Sequence, residues 1–139
     1  MLIGEYTSTL DVKGRFNFPS KLLDDLCESF IITKGLDECL FVYSKEEWQR
    51  LEEKIRELPL SKGRTLQRFL FASAMEVQAD KQGRVLLSQR LREYAHIEKD
   101  LVVIGASYRA EIWDKERWET EGDKLSSETL ETAMEELGF

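Results

Sequence analysis

Apolar and polar residues follow the same order twice along the chain. Residues 15–18 alternate polar and apolar, which predicts a half-buried strand with Phe16 and Phe18 facing a core. Further along, Trp48 and Ile55 share one face at helical spacing, which predicts an amphipathic helix. The pattern predicts, in each half, two strands joined by a turn, then a short helix, a β-hairpin and a longer helix.

Side chains that can cap helices mark the predicted helix starts. They are Ser20, Ser44, Ser88 and Asp114. Ser20 is expected to cap a short helix over residues 21–28. Glu47 follows Ser44 by three positions, which is the pattern of a capping box.

The halves also share residues at matched positions, which indicates an internal duplication. Pairs offset by 69 or 70 positions are Asp11 with Asp80, Gly14 with Gly83, Arg15 with Arg84 and Trp48 with Trp118. Because neither half is long enough to bury a large core alone, we expect the halves to intertwine around one core. That core is predicted to contain Phe16, Phe18, Ile32, Val42, Val85, Leu87, Val103 and Ile112.

The duplication divides the chain into four parts. Residues 1–60 are the first repeat with its following helix, and residues 61–74 are a connecting helix. Residues 75–118 are the second repeat, and residues 119–139 are an acidic helical tail. The connecting helix is expected to expose three basic side chains, Lys62, Arg64 and Arg68. The tail is expected to form an amphipathic helix with Leu130, Ala133, Met134 and Leu137 on its apolar face.

The net charge of −7 argues at first against a nucleic-acid partner, but the charge is unevenly distributed. Residues 119–139 contain seven acidic residues and one lysine, which is a net −6. The other 118 residues therefore carry only −1. The body of the protein can accordingly present a basic face to a polyanion.

Catalytic and metal-binding patterns are missing from the sequence. One histidine and two cysteines are too few for a Cys/His zinc site. The chain has neither a G-x-S-x-G elbow nor a phosphate-binding loop, so we expect a non-enzyme with no cofactor and no small-molecule substrate. No apolar run is long enough for a membrane span, and the first residues lack the pattern of a secretory leader.

The duplicated D-x-x-G-R turn is the strongest functional candidate, and it has two interpretations. In the first, each aspartate bonds the local backbone and pairs with its arginine, so the turn is structural. In the second, the turns present basic side chains to DNA, because the planar guanidinium grips phosphates or guanine edges with two bonds. The candidate DNA-binding residues are Lys13, Arg15, Lys81 and Arg84. The residues that orient them are Asp11, Gly14, Asp80 and Gly83.

The two turns, the whole-chain duplication and the opening M-L-I-G-E-Y resemble the MraZ family of bacterial transcriptional regulators. The resemblance implies an α/β fold of the mixed, β-rich kind: a pseudo-symmetric duplicated swapped-hairpin barrel of the AbrB/SpoVT type with flanking helices. It also implies a ring-shaped homo-oligomer in the cytoplasm and on the nucleoid. Such a ring is expected to bind short direct repeats of double-stranded DNA in the promoter of its own division and cell-wall operon and to repress it.

The second repeat departs from the first at two positions. Gln82 replaces Lys13, and Ser88 replaces Pro19. The second turn is therefore expected to grip DNA less strongly or to serve architecture. The alternative function on the same fold is a protein-interaction module of the antitoxin type, for which DNA affinity is not required.

Overall fold

The computed structural model describes residues 1–139, which form a mixed α+β fold. Its strands are β1 Glu5–Thr9, β2 Arg15–Asn17, β3 Ser29–Lys34, β4 Leu40–Ser44, β5 Met75–Gln78, β6 Arg84–Leu86, β7 Asp100–Gly105 and β8 Ala110–Asp114. Its α-helices are α1 Ser20–Leu26, α2 Lys45–Arg56, α3 Leu60–Leu66, α4 Gln89–Tyr94, α5 Lys115–Asp123 and α6 Ser127–Glu135. None of these helices is both long and apolar enough to cross a bilayer.

The two halves exchange strands. Six strands form one antiparallel sheet in the order β1-β7-β8-β4-β3-β5, so the first strand of each half pairs with the third strand of the other half. The remaining strands, β2 and β6, pair with each other in a two-stranded ribbon. This exchange confirms the predicted intertwined, pseudo-symmetric fold. The strands do not close into a barrel, however, because the ribbon is a separate sheet and the large sheet has two open edges.

One hydrophobic core lies between the large sheet, the ribbon and the two short helices. All eight residues predicted for the shared core are buried in a single cluster of 20 residues. Phe16 and Val85 face each other across the ribbon, and both are less than 2% exposed. Side chains of both halves therefore fix the inner face of the ribbon to the core.

The longer helices cover the opposite face of the sheet. Trp48 of α2 packs on Tyr43, and Trp118 of α5 packs on Trp113. Each matched tryptophan is thus a packing residue, as its position after the hairpin predicts. Cys39 is buried in the same layer, where burial raises the pKa of its thiol.

Three of the four predicted helix caps are confirmed. The side chains of Ser44, Ser88 and Asp114 accept the backbone N–H three residues later. The prediction for Ser20 is wrong, because α1 begins one residue earlier. The Pro19 carbonyl accepts the backbone N–H groups of Leu22 and Leu23, so Ser20 is already inside the helix.

The connecting segment is α3 followed by a π-helical turn over Gln67–Phe71 rather than one regular helix. Thr33 fixes this turn to the sheet, since its buried hydroxyl lies 2.5 Å from the Leu70 carbonyl and 3.0 Å from Ser73 Oγ. The three basic side chains of the segment are exposed, as predicted: Lys62, Arg64 and Arg68.

Candidate nucleic-acid interface

The first D-x-x-G-R turn is organised by one carboxylate. Asp11 Oδ1 accepts the backbone N–H groups of Lys13 and Arg15, both at 2.9 Å. Asp11 Oδ2 accepts the Arg15 Nε–H at 2.8 Å. The backbone closes the turn, because the Gly14 N–H donates to the Asp11 carbonyl at 3.0 Å. The Asp11 carboxylate therefore holds both the backbone of the turn and the Nε of Arg15.

The second turn repeats this geometry almost atom for atom. Asp80 Oδ1 accepts the backbone N–H groups of Gln82 and Arg84 at 2.9 and 2.8 Å. Asp80 Oδ2 accepts the Arg84 Nε–H at 2.8 Å. Two copies of one local geometry explain why the D-x-x-G-R spacing recurs.

Both aspartates are held in the ionised form. Hydrogen bonding from the Arg15 backbone lowers the pKa of Asp11, and the Arg15 side chain lowers it further, whereas desolvation opposes the change. The pKa of Asp80 is lowered by the same groups of Arg84. Carboxylates with depressed pKa values are suited to bracing cations rather than to acid–base catalysis.

The glycines permit the tight turn. Gly14 has φ +83° and Gly83 has φ +78°, a region that side-chain-bearing residues adopt at a cost. The carbonyl of Gly14 accepts the Leu87 N–H, and the carbonyl of Gly83 accepts the Phe18 N–H, both at 2.9 Å. Each turn is therefore tied to the opposite strand of the ribbon.

Register places the two arginines on one surface. In the β2–β6 ribbon Arg15 lies opposite Leu86, and Asn17 lies opposite Arg84. Because Phe16 and Val85 point into the core, these four alternate side chains point away from it. The arginines are diagonal neighbours, for which backbone separations of roughly 7–8 Å are typical.

The arginines keep free hydrogen-bond donors on this surface. Each uses its Nε for the aspartate, and the Nη nitrogens have no partner within the chain. The side chains of Arg15 and Arg84 are 29% and 31% exposed, so part of each remains accessible to solvent. Lys13 and Lys81 are exposed on the turns and form no ion pair.

The surroundings of the two turns differ. A methyl group added at Gly14 would lie 3.2 Å from Arg92 Cζ and 3.3 Å from the Leu87 carbonyl oxygen. The same addition at Gly83 meets no atom within 4 Å. Arg92 of α4, in the second half, therefore covers the first turn, and the second turn has no such cover.

Three residues of this surface were not among the sequence-based candidates: Asn17, Leu86 and Arg92. The alternation that sends Phe16 inward also sends Asn17 outward, so Asn17 could have been found from the pattern. The same alternation around Val85 exposes Leu86, which is 52% exposed. Arg92 could not be found, since only the exchange of strands brings α4 to the first turn.

Fold and surface together define a class: a duplicated swapped-hairpin protein with a two-stranded ribbon that displays aspartate-braced arginines. Sequence comparison gives the same result. The family described as "MraZ protein, putative antitoxin-like" matches the chain twice, over residues 1–68 and 70–137. The chain belongs to the MraZ family, as its resemblance predicted.

Relatives of similar length share about half of the residues. A protein of Acetivibrio thermocellus is 52% identical over 143 residues, and the match covers 100% of both chains. One of Caldicellulosiruptor saccharolyticus is 51% identical, again over 100% of both chains. One of Heliobacterium modesticaldum is 49% identical over 100% of this chain and 99% of its own. All three bear the name transcriptional regulator MraZ.

Proposed function

We propose that the protein is a sequence-specific DNA-binding regulator of transcription that uses the β2–β6 ribbon as its reading surface. The observation that carries this proposal is the outward display of Arg15 and Arg84, each braced at Nε and free at Nη. A two-stranded ribbon fits the major groove of B-DNA. The names of the relatives support a role in transcription.

Each outward residue has a chemically suitable target in the groove. The guanidinium groups match the acceptor edge of guanine, and the Asn17 amide matches adenine. Leu86 offers an apolar contact for the methyl group of thymine. Lys13 and Lys81, at the ends of the ribbon, are suited to phosphates, which fix position rather than sequence.

One ribbon offers too few base contacts for high specificity, because a good bidentate contact contributes about 1–3 kcal/mol of discrimination. We infer that a ring-shaped homo-oligomer engages several short direct repeats at once and thereby multiplies these contacts. The target is the promoter of the protein's own operon in the division and cell-wall cluster, and the effect is repression. The protein acts in the cytoplasm, on the nucleoid.

A mobility shift with the DNA upstream of the protein's own gene tests this function. Binding should survive an excess of unrelated competitor DNA and should weaken steeply as salt is raised, because phosphate neutralisation releases counterions. No affinity for this upstream DNA at low salt would overturn the proposal.

A protein-interaction module is the second candidate, since the family description includes the words antitoxin-like. An apolar groove of about 340 Å³ beside α2 also offers a protein-docking surface. The salt series separates the two functions. A partner held in an apolar groove would bind with little dependence on salt, and ribbon variants would not affect it.

A further inference from the structure

The last helix, α6, has an apolar face that nothing in the chain covers. Leu130 and Met134 are 50% and 45% exposed, Leu137 in the turn that follows the helix is 73% exposed, and no residue of the helix is buried. With Ala133 they occupy positions i, i+3, i+4 and i+7, which is the anchor spacing of a helix that lies in a groove. In an amphipathic helix of a globular protein such a face normally packs against another apolar surface.

A suitable groove lies in the first half of the fold. It has a volume of about 340 Å³ and runs between α2, the sheet and the connecting segment. Its floor and walls are largely apolar, with side chains that include Phe41, Tyr43, Leu51, Leu66, Phe69 and Leu70. Leu66 is 37% exposed in the open groove.

The helix and the groove carry opposite charges. Residues 127–136 contain four glutamates and no basic residue: Glu128, Glu131, Glu135 and Glu136. Lys54 in the lining and Lys62, one helical turn before Leu66, form no ion pair, and Glu47 is the one acid of the lining. The other two basic groups of the groove, Arg50 and Arg109, are already paired with glutamates of their own chain.

The duplication shows that α6 is the counterpart of a segment that is packed in the first half. At the offset of 70, Leu130 of α6 is equivalent to Leu60, the first residue of α3. The α3 segment turns back so that Leu70 and Phe71 pack on its own half. The equivalent segment of the second half stands away from the body with its apolar face open.

We propose that α6 of one copy docks into the α2–α3 groove of a second copy. This inference rests on the proposed homo-oligomer and names the contact that builds it. The contact joins two different surfaces, so each copy offers one helix and one groove. A head-to-tail contact of this kind either closes into a ring or continues as a filament.

Full-length variants analysed by sedimentation velocity test the contact. Met134→Asp places a charge in the apolar face and should weaken self-association on the order of 30-fold, as expected for a central anchor. Leu66→Asp, in the groove, should have the same effect. Thr132→Asp, on the opposite face of α6, is the matched control and should assemble like the unaltered protein. Thermal melting should change little, because all three side chains are exposed in the single chain.

Mixing the two aspartate variants tests whether the contact joins the helix of one copy to the groove of another. The Met134→Asp protein keeps an intact groove, and the Leu66→Asp protein keeps an intact helix. Each should be monomeric alone, and an equal mixture should form a dimer that cannot grow. Reversing the charges on both surfaces, with Lys54→Glu and Lys62→Glu at the groove and Glu131→Arg and Glu135→Arg on α6, should restore assembly that the first pair alone weakens.

Two outcomes would overturn the contact. In the first, both aspartate variants still assemble. In the second, the α6 variants have a lower melting temperature but an unchanged oligomer size, which would mean that the helix docks on its own chain. An unaltered protein that is monomeric would refute the proposed ring together with the contact. Assembly that depends on α6 without any operator binding would instead refute the DNA function and leave the contact standing.

Discussion

The Nε and Nη nitrogens of Arg15 have different surroundings. Its Nε is held by Asp11 at 2.8 Å, and its Nη nitrogens are free on the outward face of the ribbon. The structural and the DNA-binding interpretations of this turn are therefore compatible, since one end braces the turn while the other remains available to a ligand. Variants of Arg15 can separate the two contributions.

Arg15→Ala should weaken binding to the upstream DNA severely, by about 1–3 kcal/mol for each ribbon that contacts it. Folding should stay nearly intact, because a solvent-accessible ion pair contributes about 0–1 kcal/mol. Arg15→Lys should recover non-specific binding but not specific binding, since lysine lacks the planar fork. Arg84→Ala should have a milder effect, because Gln82 stands where the first turn has Lys13.

Binding assays run beside thermal melting and sizing measure these effects. Arg56→Ala is the control, because it removes an exposed arginine of α2, on the other side of the sheet. An Arg15→Ala protein that is folded, oligomeric and fully competent for DNA would remove Arg15 from the interface.

Asp11→Asn should lower the melting temperature at neutral pH, and the difference from the unaltered protein should shrink in acid. The folded-state pKa of Asp11 lies below its ordinary value of 3.8, so the ionised group stabilises the fold. That contribution is present above about pH 3.8 and is lost as the pH falls through the folded pKa. Melting curves of both proteins between pH 7 and pH 2.5 measure the difference. A gap that stays constant with pH would contradict the role assigned to the carboxylate.

At the scale of elements, the ribbon is one unit whose two turns differ in their support. Arg92 covers the turn at Gly14, whereas the turn at Gly83 is open. The paired glycines therefore provide a matched comparison of backbone strain with and without crowding.

Gly83→Ala should destabilise the fold by roughly 1–2 kcal/mol, since alanine is strained at a left-handed φ. Gly14→Ala should be worse, because its methyl group also crowds Arg92 and the Leu87 carbonyl. Arg92→Ala in the Gly14→Ala background should recover part of the difference. Urea unfolding of the unaltered protein, the two glycine variants and the double variant measures these differences in stability. Equal losses of stability at the two glycines would show that Arg92 does not confine the first turn.

Thr33 connects the first half to the segment that borders the groove. Thr33→Val keeps the shape but leaves the Leu70 carbonyl and Ser73 without their buried partner, so a loss of about 1–3 kcal/mol is expected. Thr9→Val removes an exposed hydroxyl that bonds Asp100, and it should change stability by less than about 0.5 kcal/mol. Similar urea midpoints for the two variants would contradict the role of Thr33.

Local parts of this structure follow from the sequence, and parts that depend on contacts between the halves do not. The Asp11–Arg15 brace and the caps at Ser44 and Ser88 are within a few residues of their partners, so spacing predicts them. Phe16 and Val85 were predicted for the core because alternation marks the inward side. The π-helical turn at Gln67 and the cover of Arg92 over Gly14 were not predictable, because each depends on a partner brought from elsewhere in the fold.

At the scale of the molecule, the exchange of strands makes the halves interdependent. Without the second half, β1 has no β7, β3 has no β5 and β2 has no β6. We therefore expect residues 1–74 alone to have no folded monomeric form. Because the halves are pseudo-symmetric, the fragment should fold only as a dimer that supplies its own missing strands. Circular dichroism and sizing over a dilution series test this, and a compact monomer at low concentration would contradict it.

The pairing of Asn17 with Arg84 and of Arg15 with Leu86 has a last consequence. The pseudo-two-fold axis of the ribbon exchanges the arginines with each other, but it exchanges an amide with an aliphatic side chain. The proposed DNA-binding surface is thus directional: when it is turned end for end, it presents a different order of chemical groups. A pair of inverted half-sites suits a DNA-binding surface whose two ends are identical. A ribbon whose two ends differ is suited instead to direct repeats, in which the same base sequence recurs in the same orientation, one repeat for each copy of the protein.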